Sequence, residues 1–222
     1  MAINKVSKLL LVYLICAGSF FTFILAAGNP DSANIVLPKP QTNIGKPLMQ
    51  VLNARKSSRE YSAQKISDQD LSNMLWAGFG INRPETNGRT APSAINMQEI
   101  DLYVILEQGL YRYDAKSNTL IWVSRKDLRA LAGKQAFVKD APVNIILVAD
   151  NSRMKKNGQG ESKNYASADA AFISENIYLY CASEGLATVV RASVDKPALA
   201  AAMQLRQDQE IIFGQTVGYP KK

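Results

Sequence analysis

The run from Val143 to Val148, directly after Pro142, is apolar but for one residue. It is too short for a core helix, so it reads as a strand buried on both faces at the centre of a sheet. Such a strand needs a layer on each side. The longest helical segment, Ala166 to Glu184, is suited to one of them. Ala170, Ala171, Phe172, Ile173, Ile177, Leu179 and Cys181 place apolar or small residues on more than one of its faces, which implies burial on several sides. Gly185 ends it.

The remaining elements mix without regular alternation. Pro47-Leu48-Met49 opens a helix with Leu48, Val51 and Leu52 on one face, ending near Arg55. Ser67, with Asp70 three residues on, caps a second helix whose apolar face is Leu71, Met74, Leu75 and Phe79. Residues 81–99 lack periodicity and read as a loop. Strands are expected at Leu102–Leu106, at Leu110–Tyr113 paired with Leu120–Val123 across a turn, at Leu186–Val190 and at Ile211–Val217. Short helices are expected at Leu128–Leu131 and Pro197–Met203. The class is α+β.

The first part of the chain is of a different kind. Lys5 and Lys8 precede an uncharged run from Leu9 to Ala27, which Gly28-Asn29-Pro30 closes. That pattern describes a secretory signal peptide, residues 1–27, cut near Ala27 or Gly28. An uncleaved membrane anchor is the competing reading, since the run is long enough to span a bilayer. Either way the expected location is outside the cytoplasm, in the periplasm or tethered facing it. Ile15 before Cys16 argues against lipidation. Residues 28–47 read as an extended lead-in, and residues 48–222 as one domain.

Charge and composition exclude several functions. Without the two lysines ahead of Ala27 the net charge is +5, scattered rather than in runs. Small anions suit that balance, and nucleic acid does not. There is no histidine, which removes Ser-His, Cys-His and His-ligated metal chemistry. Beyond the apolar start only Cys181 remains, so no intrachain disulfide forms; that cysteine reads as a small buried apolar residue.

Three stretches have polar chemistry to offer. Arg55-Lys56-Ser57-Ser58-Arg59 carries guanidinium forks, an ammonium and hydroxyls, a complete set for a phosphate monoester, although basic residues at a helix C-terminus often face only water. Pro92-Ser93-Ala94-Ile95-Asn96-Met97-Gln98 offers Asn96 and Gln98 to the edge of a heteroaromatic ring, or else merely turn hydrogen bonds. Gly185 to Asp195 is a strand opening into a loop, where Ala192 and Ser193 would admit a flat ligand close to the backbone.

In order and spacing these three stretches resemble the FMN-dependent nitroreductase superfamily. Leu75-Trp76-Ala77-Gly78, Gly88-Arg89-Thr90, Gly109 to Asp114 and Ala141-Pro142-Val143 look like its thiazole/oxazole dehydrogenase (SagB-type) branch. The resemblance implies a nitroreductase-like fold, with a mixed central sheet flanked by helices, in an intertwined homodimer with two FMN sites at the interface. It implies that Arg55, Lys56 and Ser57 hold the FMN phosphate and ribityl chain, with Arg59 near the pyrimidine edge. Ser93, Asn96 and Gln98 would reach the flavin ring, Ser93 and Asn96 from the partner subunit. The backbone of Ala192 and Ser193 would face flavin N5. Arg191, at a usually apolar position, would select an anionic substrate or form an ion pair. Lys163 and Tyr165 fall near a lysine-tyrosine pair of the branch, which makes Tyr165 a candidate substrate contact. Glu99 stands where relatives often have proline. The function implied is an exported oxidoreductase taking hydride or electrons from NAD(P)H or another donor to a small organic acceptor, such as a nitroaromatic or quinone. A flavin-binding protein without turnover is the alternative.

Overall fold

In the computed structural model, residues 33–154 and 162–221 are described; the apolar N-terminal run and Lys222 lie outside them, as does the side chain of Lys163. One sheet of seven strands organises the domain, in the order β1-β6-β5-β4-β7-β9-β8. These are β1 (Ile35–Val36), β4 (Ile100–Leu106), β5 (Gly109–Asp114), β6 (Thr119–Ser124), β7 (Val143–Asp150), β8 (Ala187–Arg191) and β9 (Gln209–Gly218). The α+β class holds. Each pairing in this sheet is antiparallel, not mixed as the resemblance implied.

All of β7 is buried, because a layer covers it on each face. One layer is α2 (Asp68–Phe79) and α4 (Ser162–Glu184), whose Met74, Leu75, Ile173 and Ile177 pack on Ile145 and Leu147. The other is built from α5 (Lys196–Met203) and the segment around Leu128, Ala132 and Val138. There α3 (Phe137–Asp140) carries Val138, whose carbonyl accepts a hydrogen bond from Asn144 Nδ2. Asn144, the polar interruption of the β7 run, is thus buried with its amide satisfied, as low-dielectric surroundings demand.

Several elements form for the local reasons read from the chain. Ser67 Oγ accepts the Asp70 amide at 3.0 Å and caps α2. Gly185 closes α4 with φ +74°. α1 (Leu48–Ala54) begins after Pro47 and ends at Arg55, but only Val51 of its apolar face is buried. Leu48, Met49 and Leu52 are 61%, 75% and 46% exposed.

Two expectations need correction. Residues 28–47, expected as an extended lead-in, take part in the core where they are described: Leu37 is in it and β1 pairs with β6. Backbone bonds then tie Leu37 to Asn118 O, Gln41 to Asn73 Oδ1 and Lys46 to Ser183 Oγ. Residues 81–99 are not wholly a loop either. β2 (Ile81–Arg83) and β3 (Gly88–Arg89) form a small ribbon, and the left-handed Asn87 makes its turn at φ 53°.

Candidate functional site

The basic stretch begins where α1 stops and lies against the outer edge of β8. Ser58 N donates to Thr188 O at 2.9 Å, and Tyr61 Oη donates to Ser58 O. Farther on, Ser62 N donates to Tyr219 O, so the C-terminal stretch flanks the turn. Docking of the backbone leaves the side chains outward. Lys56, Ser57 and Arg59 are exposed and Arg55 is half-buried. Among the described residues no carboxylate pairs with Arg55, Lys56 or Arg59. A cleft of about 490 Å³ opens beside them, lined in part by Lys56, Ser58, Thr188 and Lys221. Three cations with hydroxyls on one fixed turn are a donor set suited to an anion, such as the phosphate that FMN carries, although the Glu60 carboxylate lines the same cleft.

Behind the turn stands Tyr178 of α4, 5% exposed. Its hydroxyl lies 2.8 Å from Ser57 Oγ and accepts the Val190 amide at 2.9 Å. Its ring lies under the Arg55 guanidinium, 5.3 Å from the centroid. Tyr178 is not among the residues that the sequence singles out. Its distance from the basic stretch in the chain, 121 residues from Ser57, left no signal of the contact.

The loop Ser93 to Gln98 is strained and heavily braced. Ile95, Asn96 and Gln98 all have positive φ, at 43°, 56° and 49°; Asn tolerates that region, but a β-branched residue such as Ile95 adopts it only when the surroundings enforce it. The Ala94 amide donates to Asp169 Oδ2 of α4, and Gln98 N donates to Ser93 Oγ. Arg89, stacked on Phe79, donates to Gln98 Oε1. Arg153 donates to Gln98 O and Glu99 O. The Gln98 amide is committed inward, donating to Asn87 O and Asn96 Oδ1. Among the described residues, Asn96 Nδ2 and the Ser93 hydroxyl hydrogen are therefore the side-chain donors this loop can present. Asp169 was missed by sequence reading, though an acid among Ala166, Ala170 and Ile173 on the buried face of a helix was a usable signal.

At the end of β8, Ala192 and Ser193 are exposed. Their carbonyls are occupied: Ala192 O accepts Val194 N, and Ser193 O accepts Lys134 N. The segment is left with N–H groups and the Ser193 hydroxyl to offer. Arg191 does not face that opening. Strand alternation turns it to the opposite side from Val190, where it is 6% exposed and donates to Ala132 O, Asn144 Oδ1 and Thr216 Oγ1. Burial lowers its pKa to about 10, opposed by the Tyr61 hydroxyl. Neither role expected for Arg191 is realised: it contacts no open site, and no carboxylate among the described residues pairs with it. It instead bolts the 132–134 segment, where Gly133 leaves it room, onto the base of the Ala192–Ser193 turn. Tyr165 is half-buried near the start of α4 and packs against the core.

Within one chain the first and third stretches meet, through Ser58–Thr188 and Ser57–Tyr178–Val190. The second does not join them. Its anchor Asp169 and the hub Tyr178 are nine residues apart on α4, roughly 13 Å of helix.

Comparison with known proteins places this arrangement. The model of the Nitroreductase family matches residues 52–219. A Methanocaldococcus jannaschii protein assigned as a nitroreductase is 28% identical over 152 residues, 64% of this chain and 76% of the relative. A crystal structure from Ralstonia eutropha JMP134, likewise assigned, shares 41% identity with TM-score 0.83, covering 89% of this chain and 93% of that one. The NADPH:FMN oxidoreductase of Vibrio harveyi, solved with NAD+, matches in fold at 20% identity and TM-score 0.59, over 79% of this chain and 69% of that one. With its family model spanning the basic turn, the braced loop and the β8 segment together, this chain belongs to the nitroreductase family.

Proposed function

We propose that this oxidoreductase binds FMN and works as an exported homodimer, passing hydride from NAD(P)H or another donor to a small organic acceptor such as a nitroaromatic or quinone. The observation that carries the reading is the unpaired cationic turn, Arg55, Lys56 and Arg59, fixed to the β8 edge. Arg55, Lys56 and Ser57 would hold the phosphate and ribityl chain. Arg59 would lie toward the pyrimidine edge, where a fixed positive charge favours an anionic reduced ring. The N–H groups of Ala192 and Ser193 would orient the ring edge, and the Asn96 and Ser93 donors would come from the partner subunit. FMN, when bound, supplies the centre that accepts and returns hydride. The protein positions and desolvates the reactants, a task that needs no histidine. The basic-then-apolar run ahead of Gly28 is the support for export.

The test is spectroscopic. Purified protein should carry a flavin spectrum, bleach anaerobically with NAD(P)H or dithionite, and recover on addition of a nitroaromatic or quinone. Arg55→Ala with Arg59→Ala should strip the flavin while thermal unfolding stays cooperative. Colourless protein that takes up no added FMN refutes the reading, and bleaching without turnover leaves a binder only.

A further inference from the structure

Tyr178 joins two of the stretches assigned to the flavin, and the direction of its hydrogen bonds has a chemical consequence. The Val190 amide donates to Tyr178 Oη. A buried phenol must also place its own proton on an acceptor, and the Ser57 oxygen at 2.8 Å is the partner in reach. With Ser57 Oγ accepting from Tyr178, the serine hydroxyl hydrogen is turned outward, beside the Arg55 guanidinium that the Tyr178 ring supports. Ser57 can then meet an incoming ligand as a donor. A phosphate oxygen, which only accepts, satisfies that donor without adjustment. A free primary alcohol is a weaker acceptor and must also find a place for its own proton.

Resting on the FMN reading above, we propose that Tyr178 is a positioning residue that sets Ser57 as an obligate donor, and so makes the basic turn select the phosphorylated flavin over riboflavin. The selectivity comes from the relay Val190 N–H to Tyr178 to Ser57 together with Arg55, and the charge of the turn alone does not supply it. Tyr178 acts through Ser57 and Arg55 and need not touch the ligand.

The measurement is the ratio of FMN to riboflavin affinity, by titrating flavin-stripped protein and following fluorescence quenching. Tyr178→Phe keeps the ring under Arg55 and removes only the relay. It should weaken FMN roughly tenfold, as expected for one charge-assisted hydrogen bond, and change riboflavin by less than about threefold. A purely structural role would weaken both flavins alike, and that result overturns the proposal, as does an unchanged FMN affinity. Ser57→Ala, at an exposed position, is the second arm and covers failure of Tyr178→Phe to fold. It should lower the same ratio to the same degree, with no further loss in the double variant; a ratio equal to that of the unmodified protein overturns the proposal. If the unmodified protein binds neither flavin, the FMN reading itself falls and takes the relay with it. If it binds FMN but the variants keep its ratio, the relay alone is wrong.

Discussion

Both carboxylate oxygens of Glu99 are buried, directly after the braced loop. Burial, with the Asp169 carboxylate facing it from α4, raises its pKa from 4.5 to about 7, against the lowering influence of its own backbone amide and of Arg153. Arg153 is itself held by Asp101 at 2.7 Å, so its charge is shared. The folded state therefore keeps a proton that the unfolded chain gives up. The associated stability is full below pH 4.5 and is lost as pH rises through about 7. The loss is on the order of 3 kcal/mol. Urea unfolding across that interval should show stability falling as pH rises, and Glu99→Gln should flatten the profile. A flat profile in the unmodified protein would show that the Glu99 carboxyl is solvated or otherwise partnered.

At the scale of elements, the strap formed by the described part of residues 28–47 shows what periodicity cannot reveal. β1 has two residues, and Pro38 and Pro40 follow it closely, so no window of the sequence shows a strand pattern. Its place is set from afar: Asn118, left-handed at φ 50°, donates from its side chain to Pro38 O and Ser72 Oγ. By contrast α2, α4, β7 and β9 were legible because caps, glycine stops and largely apolar runs are local signals. The same division holds in the site. The basic residues and the Ser93–Gln98 loop were visible as composition. The partners that fix them were not: each contact of Tyr178, Asp169 and Thr188 closes a long loop, and only Asp169 left a signal, as an acid on a buried helix face. Arg191 was misread for a related reason: its strand phase relative to the opening depends on where β8 ends. The strap's anchor makes a stability prediction. Leu37→Ala removes a side chain 5% exposed from the core and should cost about 2–4 kcal/mol, read as a lowered urea midpoint. No change would mean that the strap is an appendage without a share in the core.

For the whole molecule, the surface left open by one chain is the remaining guide. Leu48, Met49 and Leu52 project from α1, which packs on α4, and Phe172 of α4 is 48% exposed. Ile95, at the tip of the strained loop, is 70% exposed. Large exposed apolar side chains on two helices that pack together are the kind of surface that a protein contact would bury. The second copy proposed above would cover α1 and α4 and also explain the loop geometry. Ile95 and Asn96 are held in left-handed conformations on a loop whose anchor, Asp169, lies some 13 Å of helix from the Tyr178 that backs the cationic turn. A partner's loop seated over that turn would complete the site with the Asn96 and Ser93 donors. Dimerisation and flavin retention are then one equilibrium. Leu48→Glu with Phe172→Glu should yield a monomer by light scattering, with the far-ultraviolet spectrum of the parent and little bound FMN. Asn96→Ala should leave the dimer intact and weaken flavin by about tenfold, the scale of a lost hydrogen bond in a desolvated site. Mixing Asn96→Ala subunits with Arg55→Ala/Arg59→Ala subunits separates the two possibilities for the loop. If the loop serves its partner, each heterodimer holds one intact site and one doubly damaged site, and each heterodimer recovers half of its flavin capacity. If the loop serves its own chain, every site in the mixture keeps a defect and no full-affinity binding reappears.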